Sequence, residues 1–337
     1  MTLALLSTVA LLAASPQPVP YDSAPRWSPD GSKVAFVRLR NVQTKKLTSE
    51  IYVVRRDGTN LRRVTKGARD FFPSWSPDGS RLAFARSPRR GRVPPQVYSV
   101  RADGRGLHRL VAGASWSSIP AWSPDGRELA FAGEIRELGE GVFIADRQSG
   151  EVRLEFQVPP SITAAAVVAL HDLTDLSWSP DGTRLLFELQ DWLYVLPLNG
   201  DATRLPARGY TAKWSPDSRQ IAFVQLCRLA VIGDDGADLP VDRVQCTQPA
   251  AQMSAPSWSP DGARIATGDC RLGGCRILIA RTERGLPRAV TSIGFGFAPV
   301  WSPDGELIAY VRPTARSHSV VYVMRPDGTG VRALSAR

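Results

Sequence analysis

Serine and aspartate stand two residues apart in a motif, Trp-Ser-Pro-Asp, that occurs seven times in this sequence. Six copies read WSPDG and one reads WSPDS, and they begin at Trp27, Trp75, Trp122, Trp178, Trp214 (the WSPDS copy), Trp258 and Trp301. A serine beside a carboxylate could act as an activated nucleophile or help to hold calcium. Seven equivalent pairs spread around a repeated structure cannot converge on one substrate. Proline fixes φ and glycine tolerates positive φ, so the motif predicts a tight turn in which serine and aspartate bind backbone groups.

Other residues with catalytic or metal-binding chemistry are few and scattered. The histidines are His108, His171 and His318, and none has a second histidine or a HExxH-like partner nearby. The sequence contains no Gly-x-Ser-x-Gly nucleophile elbow and no glycine-rich phosphate loop ahead of a helix. We therefore predict no catalytic residue, no metal, no cofactor and no enzymatic activity. A polysaccharide lyase or hydrolase acting in a central channel is the alternative.

Four cysteines form two pairs with plausible hairpin spacing. Cys270 and Cys275 flank a tight loop, and Cys227 and Cys246 are centred on the turn DDGAD. Residues equidistant from an antiparallel turn face each other, so both pairs could form disulfides in an oxidising compartment. The sequence by itself allows three connectivities.

The segment around each motif repeats as well. Successive motifs are separated by 36 to 56 residues. Each is followed by an aliphatic-Ala-aromatic strand, a third strand such as IYVVRR, an Asp-Gly turn and a short fourth strand. A repeat of this length with strand-like content is typical of propeller blades. The sequence predicts an all-β, seven-bladed β-propeller with four antiparallel strands in each blade, spanning residues 16–337.

This repeat resembles that of the TolB-type (WSPDG-repeat, WD40-like) β-propeller family. The resemblance extends from about Tyr21 to Arg337 and rests on the pattern Pro-x-WSPDG, aliphatic-Ala-Phe, aliphatic-Tyr-Val, basic-x-Asp-Gly. It implies a propeller fold, which in relatives also stands beside hydrolase domains. TolB-like proteins place an α/β domain before the propeller, whereas here about twenty residues precede the first repeat. We therefore expect a propeller alone, without that α/β domain or a C-terminal hydrolase domain.

The first residues resemble an export signal. An apolar run from Leu3 to Ala14 precedes Ser15-Pro16, and it is shorter than the roughly 20 apolar residues of a membrane span. We expect residues 1–15 to be a secretory signal segment, without a transmembrane span, and the protein to be periplasmic or extracellular.

The two ends of a propeller receive different loops. The turn face carries the seven motif turns and the third-to-fourth-strand turns, which include Asp57 and Asp103, so we expect it to lean acidic. The loop face receives the second-to-third-strand loops, and the net charge of +10 favours a basic patch there. The candidate binding residues of that patch are Arg38, Arg40, Lys45, Lys46, Arg86, Arg89, Arg90 and Arg92. Compositional bias is the competing explanation.

First strands line the channel of a propeller, so some of their residues should lie at its mouth. These candidates are Asp22, Asp70, Ser117, Asp172 and Tyr210. With no nucleic-acid-binding motif present, we expect the partner to be a protein or an anionic envelope polymer or lipid headgroup. We expect a monomeric binding protein or scaffold.

Overall fold

The structure is a computed structural model that describes residues 21–40, 47–88, 94–159, 173–225, 228–236, 244–245, 252–271, 274–283, 286–314 and 319–335. Within these ranges the chain forms 29 β-strands and no helix, as an all-β protein should. The cause is local, because proline and glycine interrupt each apolar segment before a helical period can be sustained.

The largest sheet contains three groups of consecutive strands. The first group comprises β1 (Tyr21–Trp27), β2 (Lys33–Arg40), β3 (Thr48–Arg55) and β4 (Arg62–Arg63). The second comprises β5 (Arg69–Trp75), β6 (Arg81–Ser87), β7 (Gln96–Arg101) and β8 (His108–Arg109). The seventh comprises β26 (Phe297–Trp301), β27 (Ile308–Pro313), β28 (Ser319–Met324) and β29 (Arg332–Ala333). Pairing within each group is antiparallel, and single parallel pairs join β1 to β28 and β3 to β5.

Four further sheets hold the third to sixth groups. The third is β9 (Ala114–Trp122), β10 (Glu128–Ile135), β11 (Gly139–Asp146) and β12 (Val152–Gln157). The fourth is β13 (Leu173–Trp178), β14 (Arg184–Leu189), β15 (Trp192–Pro197) and β16 (Thr203–Arg208). The fifth is β17 (Tyr210–Trp214), β18 (Gln220–Gln225), β19 (Arg228–Gly233) and β20 (Val244–Gln245). The sixth is β21 (Gln252–Met253), β22 (Ser257–Trp258), β23 (Arg264–Arg271), β24 (Gly274–Glu283) and β25 (Leu286–Phe295).

The repeated motif forms the turn between the first and second long strands of every group. In each copy the serine hydroxyl donates to the aspartate carboxylate over 2.5 to 2.7 Å. In the first copy the Ser28 hydroxyl also accepts the amide of Lys33, and Asp30 accepts the amide of Ser32. Six copies place glycine at the following position, and the seventh places Ser218 there with φ +63°. The motif is therefore turn chemistry.

The tryptophan of each motif ends a first strand and packs between neighbouring groups. The seven indoles are 5 to 8% exposed. The Nε1–H of Trp75 donates to the Arg26 carbonyl oxygen over 3.1 Å, and that of Trp27 donates to Val300 over 3.0 Å. Trp178 and Trp258 make the same bond to the residue before the preceding group's tryptophan, Ala121 and Lys213. These indoles tie consecutive first strands together.

Apolar clusters fill the spaces between successive groups. Val53 and Ile51 of the first group pack with Trp75 and Phe84 of the second, and corresponding clusters follow along the chain. A further cluster packs residues of the first group against those of the seventh. Second strands are buried on both faces, which explains why their sequences are almost continuously apolar.

First strands share an irregularity three residues before the tryptophan. At this position six of them have a non-glycine residue with φ between +50° and +58°, namely Ala24, Phe72, Ile119, Asp175, Thr211 and Ala298. Register shifts in the pairing of these strands with their neighbours mark a β-bulge there. Positive φ is unusual for a β-branched residue such as Ile119. The bulge therefore reflects a constraint of the repeated architecture.

Candidate functional site

Three of the residues expected at a channel mouth are buried between the strand groups. Asp22, Asp70 and Ser117 are at most 1% exposed. The carboxylate of Asp22 accepts two hydrogen bonds from Arg38, over 2.6 and 2.7 Å, and Asp70 accepts two from Arg86, over 2.7 and 2.9 Å. Ser117 accepts the amide of Val97. Each of these three side chains is thus bound to a neighbouring strand, and their position near a channel entrance stays a prediction.

These ion pairs also change the predicted basic patch. Arg38 and Arg86 face buried carboxylates, so neither presents free positive charge on the loop face, contrary to the sequence expectation. Arg40 is exposed, and its Nη2 donates to the Tyr52 hydroxyl over 3.1 Å. The remaining patch residues, Lys45, Lys46, Arg89, Arg90 and Arg92, lie outside the described ranges, as does the channel candidate Asp172.

Half-exposed side chains recur one and three residues before each tryptophan, while the residue between them is buried. Alternation of this kind gives each first strand one buried face and one solvent-facing face. Consecutive first strands contact one another, and β26 contacts β1, so the solvent-facing sides form one surface. We call this surface the inner stripe; its residues are Ala24, Arg26, Phe72, Ser74, Ile119, Ala121, Asp175, Ser177, Thr211, Lys213, Ala255, Ser257, Ala298 and Val300.

The charged residues of the inner stripe are Arg26, Asp175 and Lys213. The Lys213 ammonium lies 3.1 Å from the Asp175 carboxylate, and both side chains are about 30% exposed. Burial lowers the pKa of the Arg26 guanidinium, and the Asp175 carboxylate opposes that shift. Arg26 also donates to the neighbouring Pro25 carbonyl oxygen over 3.0 Å. Residues from the first, fourth and fifth groups thus interact, with two positive charges and one negative charge.

Two exposed aromatic side chains belong to first strands, Phe72 in β5 and Tyr210 in β17. Phe72 is 36% exposed and its ring contacts that of Phe71. Tyr210, the one channel-mouth candidate found at the surface, is 37% exposed. Burial, followed by the Asp191 and Glu188 carboxylates, raises the pKa of its phenol. Exposed aromatic faces near cations can hold a ligand with both apolar and anionic parts.

Sequence reasoning missed Arg26, Asp175 and Lys213. A signal was available, because the other inner-stripe residues are uncharged and the tryptophan fixes the register from which they can be counted. What the sequence could not supply is their proximity, since Arg26 and Asp175 belong to distant repeats.

The cysteines are accounted for in part. Cys270 and Cys275 form a disulfide across the β23–β24 pair and pack against Tyr21 and Phe297. Cys227 and Cys246 lie outside the described ranges. Among the described residues, no three histidine, cysteine, aspartate or glutamate side chains are placed to hold a metal ion. The described part of the chain also has no helix of the length and apolarity that a membrane crossing requires.

Comparisons with known proteins agree with this architecture. A family model for the TolB beta propeller domain matches residues 15–158. Over 123 residues, 31% of this chain, the sequence is 33% identical to the uncharacterized peptidase YuxL of Bacillus subtilis. That stretch is 18% of the Bacillus protein, so this chain spans less than one fifth of that relative's length.

Two solved structures share the fold at low identity. TolB from Acinetobacter baumannii is 18% identical, with a TM-score of 0.53, over 91% of this chain and 64% of its own. The β-propeller domain of the Trilobed protease from Pyrococcus furiosus, described as having an open velcro topology, is 16% identical with a TM-score of 0.64. That match covers 94% of this chain and 98% of the Pyrococcus domain. The repeated motif, its turn geometry and the family model over residues 15–158 therefore agree in their likeness to the TolB beta propeller domain.

Proposed function

We propose that this protein is an exported, non-enzymatic seven-bladed propeller that binds an anionic ligand in its central channel. Two observations support the proposal of a closed ring. The chain has seven strand groups, each with one motif turn. Each first strand contacts the next one, and β26 contacts β1. The seventh and first groups are joined by packing and by polar contacts. In particular, the Ser335 hydroxyl donates to the Asp22 carboxylate and the Ser319 hydroxyl to the Asp22 carbonyl oxygen.

The observation that carries this function is the charge of the inner stripe. Arg26 and Lys213 outnumber Asp175, and Lys213 alone is close enough to Asp175 for an ion pair among the described residues. Arg26 is half-buried, and the Asp175 carboxylate offsets only part of the cost of taking its guanidinium out of water, because the pKa of Arg26 is still lowered. An anionic group entering the channel would supply it. The ligand classes are an acidic protein segment or an anionic envelope polymer, and the loop residues Lys45, Lys46, Arg89, Arg90 and Arg92 could add attraction around the entrance.

The same residues favour binding over catalysis. General acid–base chemistry needs a group whose proton can be exchanged near neutral pH. Within the inner stripe the one carboxylate, Asp175, is paired with Lys213, and no histidine is present. This ion pair supports a role in holding charge toward a bound anion.

The alternative is a lyase or hydrolase that acts on an anionic polysaccharide in the channel. What favours it is that Arg26 and Lys213 could neutralise a uronate carboxylate. Incubating the full-length protein with polygalacturonate and following new reducing ends or unsaturated products tests this. If the protein forms such products and Lys213→Gln abolishes their formation, catalysis replaces binding as the function.

Binding is tested with fluorescently labelled polygalacturonate and polyglutamate, the models for an envelope polymer and for an acidic protein segment. Arg26→Gln should weaken binding at least fivefold, and Asp175→Asn should strengthen it, because the net charge of the stripe rises. Asparagine tolerates the positive φ of Asp175, so that variant should fold. The matched control is Arg219→Gln, an exposed arginine in the fifth motif turn. Equal affinities in all four proteins, or equal weakening by Arg219→Gln, contradict a channel site.

Export is a separate part of the proposal. Residues 1–15 lie outside the described ranges, so it rests on their sequence. Fractionation of cells that express the full-length chain with a C-terminal tag should place the protein in the periplasm or the medium, shortened at its N-terminus. Recovery of the uncleaved chain in the cytoplasm would contradict it.

A further inference from the structure

A basic cleft lies between the first and second strand groups on the turn face, where the sequence predicts an acidic surface. Its volume is about 300 Å³, which is within the range of small-molecule sites. Its lining comprises Lys33, Val53, Arg55, Asn60, Arg62, Gly79, Ser80, Arg101, Ala102 and Asp103. Four of these side chains are cationic and one is anionic. The cleft shares no residue with the inner stripe.

The cations of the cleft are held close together by the fold. Lys33 stands directly opposite Arg55 in the β2–β3 pair, and like charges at such positions repel. Arg62 reaches across from the first group, and its Nη1 donates to the Asp103 carbonyl oxygen over 3.4 Å. The Asp103 carboxylate lies 3.6 Å from Arg101 and accepts the amide of Arg105.

Three of the four cations form no contact ion pair. Among the described residues, no carboxylate lies within ion-pair distance of Lys33, Arg55 or Arg62. They interact at longer range with the carboxylates of Asp30, Asp57 and Asp103. The lining itself holds four cations and one carboxylate, so it carries an excess of positive charge.

The equivalent cleft between the third and fourth groups shows that the fold does not require this charge. There Glu128 and Asp146 face each other at the positions of Lys33 and Arg55. That cleft, of about 400 Å³, is lined by Asp125 and Asp181 as well, with Arg127 as its cation. The same scaffold position thus accepts either sign. Two cations also face each other at this position in the second group, Arg81 with Arg101, and in the sixth, Arg264 with Arg281. The first cleft is distinguished by four cationic side chains around one space.

We propose that the cleft between the first and second groups binds a small ligand with two or more adjacent phosphate groups. Guanidinium groups match phosphate oxygens with paired hydrogen bonds, and Arg55, Arg62 and Arg101 supply three of them around one space. Four cations against one carboxylate in the lining suit a compact, multiply charged anion better than a single carboxylate. Adjacent groups contribute to the site, so the ligand also bridges them.

Isothermal titration calorimetry of the full-length protein with inorganic pyrophosphate tests this site. We expect a dissociation constant below about 100 μM at about 50 mM salt, weakening as the salt is raised. Arg55→Gln and Arg62→Gln should each reduce the affinity about tenfold or more. The control is Arg325→Gln, because Arg325 occupies the place of Arg55 in the seventh group, with the same turn hydrogen bond to the threonine four residues on. It should bind pyrophosphate like the unchanged protein.

The outcomes separate this site from the channel. Arg26→Gln should leave pyrophosphate affinity unchanged, whether or not the channel binds polymers; loss of affinity in that variant would place the anion in the channel and overturn the cleft. Citrate that binds as tightly as pyrophosphate would overturn the phosphate class. No binding by the unchanged protein, or no loss in Arg55→Gln and Arg62→Gln, would overturn the site itself. Folding is checked by thermal unfolding, in which Arg55→Gln should be at least as stable as the unchanged protein without ligand, because it removes a repulsive pair.

Discussion

The guanidinium of Arg38 binds both oxygens of the Asp22 carboxylate and, through a third hydrogen bond of 2.8 Å, the carbonyl oxygen of Ser335. Asp22 and Arg38 belong to the first strand group and Ser335 lies just beyond the last strand of the seventh. Both charged side chains are at most 5% exposed. One ion pair thus holds the beginning of the described chain to its end.

Loss of one partner from this pair should be costly. Arg38→Met leaves a buried carboxylate without its cation and should lower the free energy of unfolding by about 3–5 kcal/mol. Asp22→Leu together with Arg38→Met should recover much of that loss, because no charge is then left buried. Urea unfolding of the two single variants and the double variant measures the coupling. Additive effects of the two changes would show that the pair does not act as a unit.

Arg86 should matter for stability and not for ligand binding. Its bond to the fully buried Asp70 predicts that Arg86→Gln lowers the unfolding midpoint. Because its charge is already compensated, the variant should bind labelled polygalacturonate as the unchanged protein does, when both are compared below their unfolding temperatures. A selective loss of polymer affinity in a stable variant would restore Arg86 to the basic patch expected from the sequence.

Two tryptophans in equivalent positions should differ in what a change to phenylalanine costs. The indole of Trp75 donates to Arg26, whereas the Nε1 of Trp122 has no acceptor among the described residues. Both indoles are 8% exposed. Trp75→Phe should therefore lower the free energy of unfolding by about 1 kcal/mol more than Trp122→Phe does, the net value of one hydrogen bond. Denaturant titrations compare the two, and equal losses would mean that packing alone explains the repeated tryptophan.

Ser218 has φ +63°, where the other six motif turns have glycine. Its hydroxyl accepts the amide of Asp181 in the neighbouring group over 3.0 Å. Ser218→Gly removes backbone strain and one hydrogen bond, each worth about 1 kcal/mol, so its stability should stay close to that of the unchanged protein. Ser218→Ala keeps the strain and loses the bond, and should be about 1 kcal/mol less stable. A glycine variant less stable than the alanine variant in thermal unfolding would contradict this assignment.

The turn aspartates predict acid sensitivity. Hydrogen bonds from Ser28 and Ser32 hold the pKa of Asp30 at about 2, and bonds from Ser76 and Ser80 do the same for Asp78, against an ordinary value of 3.8. A carboxyl whose pKa is lower in the folded state stabilises the fold above its unfolded pKa, and that contribution is lost as the pH falls from about 4 toward 2.

The urea midpoint of unfolding, measured from neutral to acid pH, should decrease as the pH falls from about 4 toward 2. Asp78→Asn should make the decline shallower, whereas Asp201→Asn, at an exposed aspartate outside these turns, should not. If the urea midpoint of Asp78→Asn falls with pH as steeply as that of the unchanged protein, the turn aspartates do not cause the acid sensitivity.

Residue types and spacing predict features that sequence neighbours form and miss contacts between side chains on different strands. The turn chemistry of the motif and the pairing of Cys270 with Cys275 are local, since sequence neighbours form both. The ion pairs of Asp22 with Arg38 and of Asp70 with Arg86 were missed, because sequence context assigns both arginines to the loop face, whereas they lie on strands adjacent to the carboxylates. A sequence position on a strand does not say whether a long side chain turns toward solvent or back to a carboxylate on the next strand.

The sequence by itself predicted the strands, their turns and the resemblance to the TolB-type propeller repeat, because these depend on patterns within one repeat of about 36 to 56 residues. The tertiary structure decided which charges lie close to one another. It pairs Asp22 with Arg38, brings Asp175 near both Arg26 and Lys213, and gathers Lys33, Arg55, Arg62 and Arg101 into one cleft. The physical reason is that the interaction of two charges depends on their distance and burial, and residues far apart in the chain acquire both only when the repeats pack together.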